Sequence, residues 1–573
     1  MGSTGGQMPD LRDNRVRGAT SRAGLHAPGP VNDDPGTALW HRGNGGEAIP
    51  GVSTPLNADY WRASMEVALL STFHRLGAIS TAERGTPDGH GSPYAGRICR
   101  FFYGRLASDF DVVCSLYGRL PGVDPNVIEE QMLGRARGLE WPRTARRRLL
   151  LAAVKTSWSV AALPGIVRRR ARRTDAWWTS STDSIADADA RTALAVFRDA
   201  RGRMRHDLAI QVAIGSLQPG FVDQLRRTAS RARVADDITE SLLSGVAGIA
   251  EGRMMAALWD VAHDGQSINR FVARYGYYAP DEGELSTRSW REDAGGLAGV
   301  LAAYRAMPAA DSPVARLRAR AEAYQVARRR ALRICPRSKR VRLRVVLRIA
   351  RRYAELREEG KVLMLQCLDV ARAAARVVGE SLAARSVIER ADDAFFLTLE
   401  EAEHAITDNH DLRSLVADRR RLHEQYQELL LPLAFTGDEL RAAVDRQLDR
   451  SEPQPTRAAH IEGLGVSAGD ATGIARVILD PLECRDFAPG EILVCPTTDP
   501  GWAPVLSIAG GIVLDMGSML SHGAIVAREL GVPCVANTTD GTRRIPSGAR
   551  VRIDGSTGVV EVLDPAPTSE TGS

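Results

Sequence analysis

The sequence predicts a multidomain chain: a large, mostly α-helical body followed by a small C-terminal α/β domain. Three observations predict it. Ala, Leu, Arg and Glu dominate residues 60 to 450, with little strand-like alternation. The run SEPQPTR from Ser451 places two prolines within seven residues, the composition of a linker. From 461 to 564, short apolar runs alternate with glycine turns. The 573 residues are enough for about four domains.

The elements follow in order. Residues 1–38 are rich in Gly, Pro, Asp, Asn and Arg and almost free of periodic apolar residues, so a disordered tail is expected. The helical body takes 39–450, with its first helical pattern at Tyr60–Leu76 after turns at Pro50 and Pro55. The clearest helix is Arg337–Ala384. Its stripe Leu356, Leu363, Cys367, Val370, Ala374 and Val377 steps by 7, 4, 3, 4 and 3 residues along one face. Pro336 divides it from a preceding helix at 313–334. Thr398 followed by Glu401 is a capping box. A hinge linker is expected at 451–460, the α/β domain at 461–564 and a second disordered tail at 565–573. Within that domain Ile474–Leu479, Ile492–Cys495 and Ile512–Leu514 read as strands. Val551–Ile553 and Val559–Val562 form a hairpin around Asp554–Gly558.

Composition excludes several classes. Apolar residues make up 44% and charged residues 25%, so the chain is not disordered as a whole. The longest charge-free stretches, Leu208–Val222 and Pro500–Leu514, carry Pro and Gly and fall short of the roughly 20 apolar residues of a membrane helix. No membrane span is therefore expected, and the N-terminus lacks the apolar core of a secretory signal. Seven cysteines without a CxxC argue against a disulfide framework or a structural zinc site, and point to a reducing, cytoplasmic setting. Lys stands at 155, 339 and 361, and every other basic residue of the 75 is Arg. Arg clusters at 146–148, 168–173, 328–330 and 337–344 have few interleaved aromatics. They are read as solvated helix faces rather than a nucleic-acid surface.

One segment carries chemistry. A buried strand, Ile512–Leu514, runs into a glycine turn. Ser521 and His522 then open a short helix that ends at Gly531, with Pro533 just beyond. An imidazole there faces unpaired backbone N–H groups and the positive end of the helix dipole, both of which stabilise a phosphoryl group. Ser521 is placed to cap the helix and donate to phosphate, and Gly517 and Gly523 let the backbone come close. His522 is thus a candidate covalent nucleophile. Arg528 is a candidate phosphate contact, although it lies about 240° round the helix and a salt bridge is the simpler role. Arg274, Glu282 and Arg291 are candidate acceptor-site residues, with structural ion pairs as the alternative. Asp499 either aligns the small domain or makes a turn at Asp-Pro-Gly. His74, His206 and His263 show no ligand-like spacing, and no carboxylate cluster suggests a metal site.

On these residues the C-terminal region resembles the phosphohistidine swivelling domain of the phosphoenolpyruvate-utilising enzymes, which include phosphoenolpyruvate synthase, pyruvate phosphate dikinase and rifampin phosphotransferase. The resemblance runs through GVSAGDATGIAR (from Gly465), PGEILV (from Pro489), TDPGW (from Thr498), SHGAIVARELGVP (from Ser521) and VRIDGSTG (from Val551). It extends into the body, nearest in layout to rifampin phosphotransferase, through NGGEAIPGVSTPL (from Asn44), LPGVDPNVIEEQMLG (from Leu120), RYGYYAPDEGELSTRSWRED (from Arg274), REEGK (from Arg357) and DDAFFLTLEE (from Asp392). It implies that His522 is the phosphorylated residue, with ATP as donor, AMP as product and a small-molecule hydroxyl as acceptor.

Three features depart from the family. An ATP-grasp domain normally stands before the middle domain, yet the first 40 or so residues hold no Gly-rich phosphate cradle, and the phosphoenolpyruvate-binding barrel is missing too. ATP and magnesium are therefore expected through a separate ATP-grasp partner. Ser518 replaces the second glycine of the histidine turn. Gly276-Tyr277-Tyr278-Ala279 replaces a Gly-His-Arg-Gly-like stretch. The expected function is a phosphotransferase component that passes a phosphoryl group from His522 to an acceptor held by the helical body. A second reading is a non-catalytic ligand-binding or scaffolding protein derived from such an enzyme.

Overall fold

Pro55 in the first turn and Gly77 in the left-handed conformation, φ 85°, bracket the first long helix, α1 (Pro55–Leu76). The structure, a computed structural model, describes residues 25–564 except 44–48, 50, 88, 134–135, 142–143, 236–237, 240, 243–249, 264, 450–459, 480–486 and 518–520. Three very long helices follow: α2 (Arg146–Ile185), α3 (Ala190–Arg231) and, after the shorter α4 (Ala250–His263) and α5 (Pro313–Ile334), α6 (Arg337–Ala384). The helix α6 packs along α3 and α2, and α1 packs along α3. The sequence placed both ends of α6 correctly, because Pro336 caps its start and the apolar stripe runs its length. Leu356, Leu363, Cys367, Val370 and Ala374 are buried, and Val377 is half-buried. Thr398 and Glu401 form the expected capping box at the start of α7 (Leu399–Thr407).

Two expectations about the body fail. Residues 25–38 are part of the fold rather than of a disordered tail. Trp40 donates its indole N–H to Pro35, His26 bonds the Tyr103 hydroxyl at 2.6 Å, and the Asp33 amide reaches the Phe101 carbonyl. Turn-forming polar residues dominate this segment, but its few apolar groups, Leu25 and Val31, are buried. It edges a four-stranded sheet, also unexpected, in which β1 (Trp40–His41), β2 (Cys99–Phe102), β3 (Arg105–Asp109) and β4 (Ala434–Phe435) run in the order β2-β3-β1-β4. Strands of two residues carry no readable alternation.

The helix α2 is longer and more apolar than the charge-free stretches in the sequence suggest. An 18-residue window within it is apolar enough to cross a bilayer by length and composition, and 22% of that window is buried. Lys155 interrupts the run, so a search for charge-free stretches misses it. Leu150, Leu151, Val154 and Trp158 lie exposed on it. Arg148 and Arg170 of the same helix turn to Glu83 and Asp207, at 2.8 and 2.6 Å.

The expected linker at 451–460 lies outside the described residues up to 459, as do the expected tails at 1–24 and 565–573. The C-terminal domain is one eight-stranded sheet of β5 (His460–Glu462), β6 (Leu464–Ser467), β7 (Asp470–Val477), β8 (Ile492–Cys495), β9 (Gly511–Leu514), β10 (Cys534–Ala536), β11 (Arg550–Asp554) and β12 (Val559–Asp564). The order is β5-β12-β11-β7-β8-β9-β10-β6. The run β7-β8-β9-β10 is parallel, and Cys495 of β8 pairs with Leu514 of β9. Loops leaving the carboxyl ends of such strands are where open α/β sheets place ligands. Here they are the segments to Thr498 and to His522.

This domain is docked on the body. The Tyr304 hydroxyl meets Ser507 Oγ at 2.9 Å, Arg316 donates to the Ser507 carbonyl at 3.1 Å, and Arg543 donates to the Glu428 carbonyl at 3.0 Å. Trp502, Val505 and Leu506 join the apolar core of the body across the seam.

Candidate functional site

Why His522 stands where it does is set locally. Ser521, extended at φ −64° and ψ 157°, caps the helix α8 (His522–Leu530) and accepts a hydrogen bond from the Ala524 amide. Gly531 closes the helix at φ 69°. His522 is therefore the first helical residue, where backbone N–H groups lack helical partners. Gly523 is demanded by packing: a Cβ there would lie 2.5 Å from Thr498 Oγ1 and 2.8 Å from Leu514 Cδ1. Gly517 is nearly as tight, 3.2 Å from Ser521 Oγ. Ser518 of the turn lies outside the described residues.

The imidazole of His522 faces the body, with its side chain 14% exposed. Its Nε2 stands 3.4 Å from Glu251 Oε1 of α4, at ion-pair rather than hydrogen-bond geometry. Lys361 Nζ of α6 lies 3.6 Å from the same oxygen. Burial lowers the pKa of His522, and Lys361 lowers it further against the opposing pull of Glu251. The ring is thus neutral at pH 7, with a lone pair available. Burial alone would raise Glu251, but Lys361, His522 and Arg357 hold it below the ordinary carboxylate range.

A second carboxyl pair adjoins the first. Arg372 of α6 donates to the carbonyls of Glu282 and Glu284, and Thr54 donates to the Glu284 carboxylate at 2.7 Å. The segment 282–284 is so pinned between α1 and α6. The Glu282 amide donates to Asp499 Oδ2 at 2.9 Å across the seam. Burial pushes Asp499 up to about 6, against the Glu282 amide and Lys361. Glu282 stands well above its usual range through burial, with Asp499 and Glu251 adding to the effect and Lys361 and Arg372 opposing it. Lys361 is a common electrostatic neighbour of His522, Glu251, Glu282 and Asp499.

The predicted residues divide accordingly. Ser521, Gly517 and Gly523 lie around His522, and Glu282 approaches from the body through its amide bond to Asp499. Arg528 does not: it lies in the last turn of α8, about 9 Å along the axis from His522, beside Glu529. Arg274 is exposed, with its guanidinium over the Tyr275 ring. Arg291 makes two bonds to Asp369, at 2.8 and 3.1 Å, and Asp369 also accepts from the Trp178 indole. That is a buried tie between α2, α6 and the 290s. Glu251, Lys361 and Thr498 were not singled out as site residues. For Lys361 a signal existed, since it is one of three lysines in an arginine-dominated chain. Glu251 offered none, being one helical acid among many.

Comparison with known proteins agrees with this architecture. Residues 487–558 match the PEP-utilising enzyme mobile domain, and residues 222–358 match the rifampicin phosphotransferase fourth domain. An uncharacterized phosphotransferase, YvkC, of Bacillus subtilis is 35% identical over 189 residues, 32% of this chain and 23% of that protein. Rifampicin phosphotransferases of Streptomyces sviceus and Bacillus cereus are 35% and 32% identical over 215 and 213 residues, in each case 37% of this chain and 24% of the relative. The chain thus spans about a quarter of the length of the curated relatives it matches. The docked α/β unit is thus similar to the PEP-utilising enzyme mobile domain over residues 487–558, and the helical body is similar to the rifampicin phosphotransferase fourth domain over residues 222–358.

Proposed function

We propose that this chain is a phosphotransferase component in which His522 carries a phosphoryl group to an acceptor hydroxyl at the seam with the helical body. The observation that carries this reading is an imidazole at a capped helix N-terminus, with Glu251 of the body 3.4 Å from its Nε2 and Lys361 3.6 Å from that same carboxylate. In the first step a ring nitrogen attacks the β-phosphorus of ATP, an N–P bond forms, the P–O bond to the AMP leaving group breaks, and water takes the γ-phosphoryl group as inorganic phosphate. In the second, the acceptor oxygen attacks, the N–P bond breaks and its electrons return to the ring. The hydroxyl proton passes to a carboxylate, and Glu282 is our assignment for it. Splitting one transfer in two is the advantage of a covalent carrier. Lys361 and Arg357 supply positive charge where the transferring group bears its negative charge.

The nucleotide is assigned to a separate ATP-grasp partner, with which the docked domain must part company to collect its cargo. The seam is rich in single hydrogen bonds that such a swing would exchange for water. Among the described residues no three His, Cys, Asp or Glu side chains gather as a metal site, so magnesium is assigned to that partner with the ATP. The buried free thiols of the six described cysteines suit a cytoplasmic setting. The reading is tested by incubating the chain with labelled ATP and candidate ATP-grasp proteins. Acid-labile label on His522, absent from H522A, is expected.

One observation favours the alternative of a ligand-binding or scaffolding protein. Tyr277 and Tyr278 are buried and packed at 4.9 Å, with Trp178 against the first and Trp290 against the second. They fill the place of the expected His and Arg with core. Full biological activity of H522A would support that alternative.

A further inference from the structure

Thr498, next to His522 in the fold, has no part in the transfer described above. Because β8 and β9 are parallel neighbours, the chain just past them stays paired: the Asp515 and Met516 amides donate to the Cys495 and Pro496 carbonyls. The segment after β8 carries Thr498 and the segment after β9 leads to His522. Thr498 is 3% exposed, and its Oγ1 presses on the first turn of α8, closer to Gly523 than any residue with a side chain would allow. Yet among the described residues this hydroxyl has no hydrogen-bond partner. Nδ1 of His522 and Oε1 of Glu282 are likewise buried without one among the described residues, and His522 Nε2 meets Glu251 only at 3.4 Å. Buried polar groups are nearly always paired, so several orphans at one seam mark the place of an absent occupant. Its chemistry follows from what surrounds it. A nine-residue helix presents its N-terminus, Lys361 and Arg357 add positive charge, and a hydroxyl stands ready to donate.

We propose that Thr498 is a catalytic residue that donates its hydroxyl hydrogen bond to a phosphoryl oxygen carried on His522. The inference rests on the phosphohistidine reading above and adds a residue to it. No proton is transferred: Thr498 Oγ keeps its hydrogen throughout. Its neighbour Asp499 accepts from the Gly501 amide at 2.8 Å and from the Glu282 amide of the body at 2.9 Å. Docking on the body therefore sets the loop that holds Thr498, and the phosphoryl group is gripped most firmly in the docked pose.

The test needs no partner protein. The full chain is treated with phosphoramidate, a small phosphoryl donor, and followed by phosphorus NMR and peptide mapping, with H522A as blank. Wild type is expected to show phosphohistidine at 522. T498V and T498A should hold about ten-fold less at steady state, the worth of one hydrogen bond to a charged group, with a displaced phosphorus resonance. T498S should recover both. Circular dichroism of each variant confirms that it is folded. If T498V and T498A match wild type in level, lifetime and resonance, Thr498 has no such role. If wild type takes no phosphoryl group at His522, the phosphohistidine reading fails and this assignment fails with it.

Discussion

Nε2 of His522 stands 3.4 Å from Oε1 of Glu251, across the seam between the α/β domain and the helical body. The contact joins the first residue of one helix to a helix more than 250 positions earlier, and Lys361 closes the group at 3.6 Å. A carboxylate so placed stabilises the protonated ring, while burial and Lys361 oppose it. E251Q is therefore expected to lower the His522 pKa further below 6.5, because the favourable charge is lost and Lys361 is no longer neutralised. Imidazole titration by NMR measures the shift, and an unchanged pKa would mean that the domains are not docked this way in solution.

With Glu282 as the proposed proton acceptor, the transfer step should depend on pH. The Glu282 carboxyl is held well above the usual range by burial, so it accepts a proton only once ionised. Transfer from phosphorylated protein to acceptor should then rise with pH through the Glu282 titration. E282Q should lose that limb and about 10²-fold or more in rate, the usual worth of a general base. Single-turnover assays across pH separate this from loss of phosphorylation.

Stability should fall with rising pH for a related reason. Burial raises Asp499 to about 6 and Glu529 to about 8, the latter against Arg320 and Arg528. A carboxyl whose folded pKa is raised favours the fold below its unfolded pKa, and that contribution fades as pH climbs to the folded value. The window here opens near pH 4 and closes near pH 8. E529Q should flatten the melting-temperature profile across it, and gain on the order of 2 kcal/mol over wild type at pH 8. Parallel profiles for the two proteins would contradict this.

Arg291 and Arg274 should separate cleanly. D369A strands Arg291 and the Trp178 indole inside the body, and a loss of about 3–5 kcal/mol is expected in urea unfolding. R274A changes an exposed side chain and should stay within about 0.5 kcal/mol of wild type.

Gly523 tolerates no side chain. G523A would drive a methyl into Thr498 Oγ1 and Leu514, with a destabilisation of about 1–3 kcal/mol and reduced labelling of His522. Thermal melts and peptide mapping check the two effects independently.

What could be read from the chain was local. Pro336 and a repeating stripe gave both ends of α6, Ser521 and Gly531 gave both ends of α8, and Asp554–Gly558 gave the hairpin. What could not be read is made by distant residues meeting. The strand Trp40–His41 exists because Phe435 and Asp109 flank Trp40, and residues 25–38 are ordered by partners as far off as Asp445. The apolar character of α2 was hidden by a single lysine. The site showed the same division. His522 and its glycines were legible from their turn and helix. Glu251 and Lys361 come to His522 through the docking of two domains, and Thr498 through the pairing of β8 with β9, neither of which a single stretch encodes.

The most direct measurement is the fate of labelled phosphate on the intact chain supplied with ATP and an ATP-grasp protein. The expected result is one acid-labile, base-stable phosphorylated peptide containing His522, absent from H522A and chased onto a small-molecule hydroxyl. A phosphorylated partner beside an unlabelled His522, or label on any other residue of this chain, would contradict it.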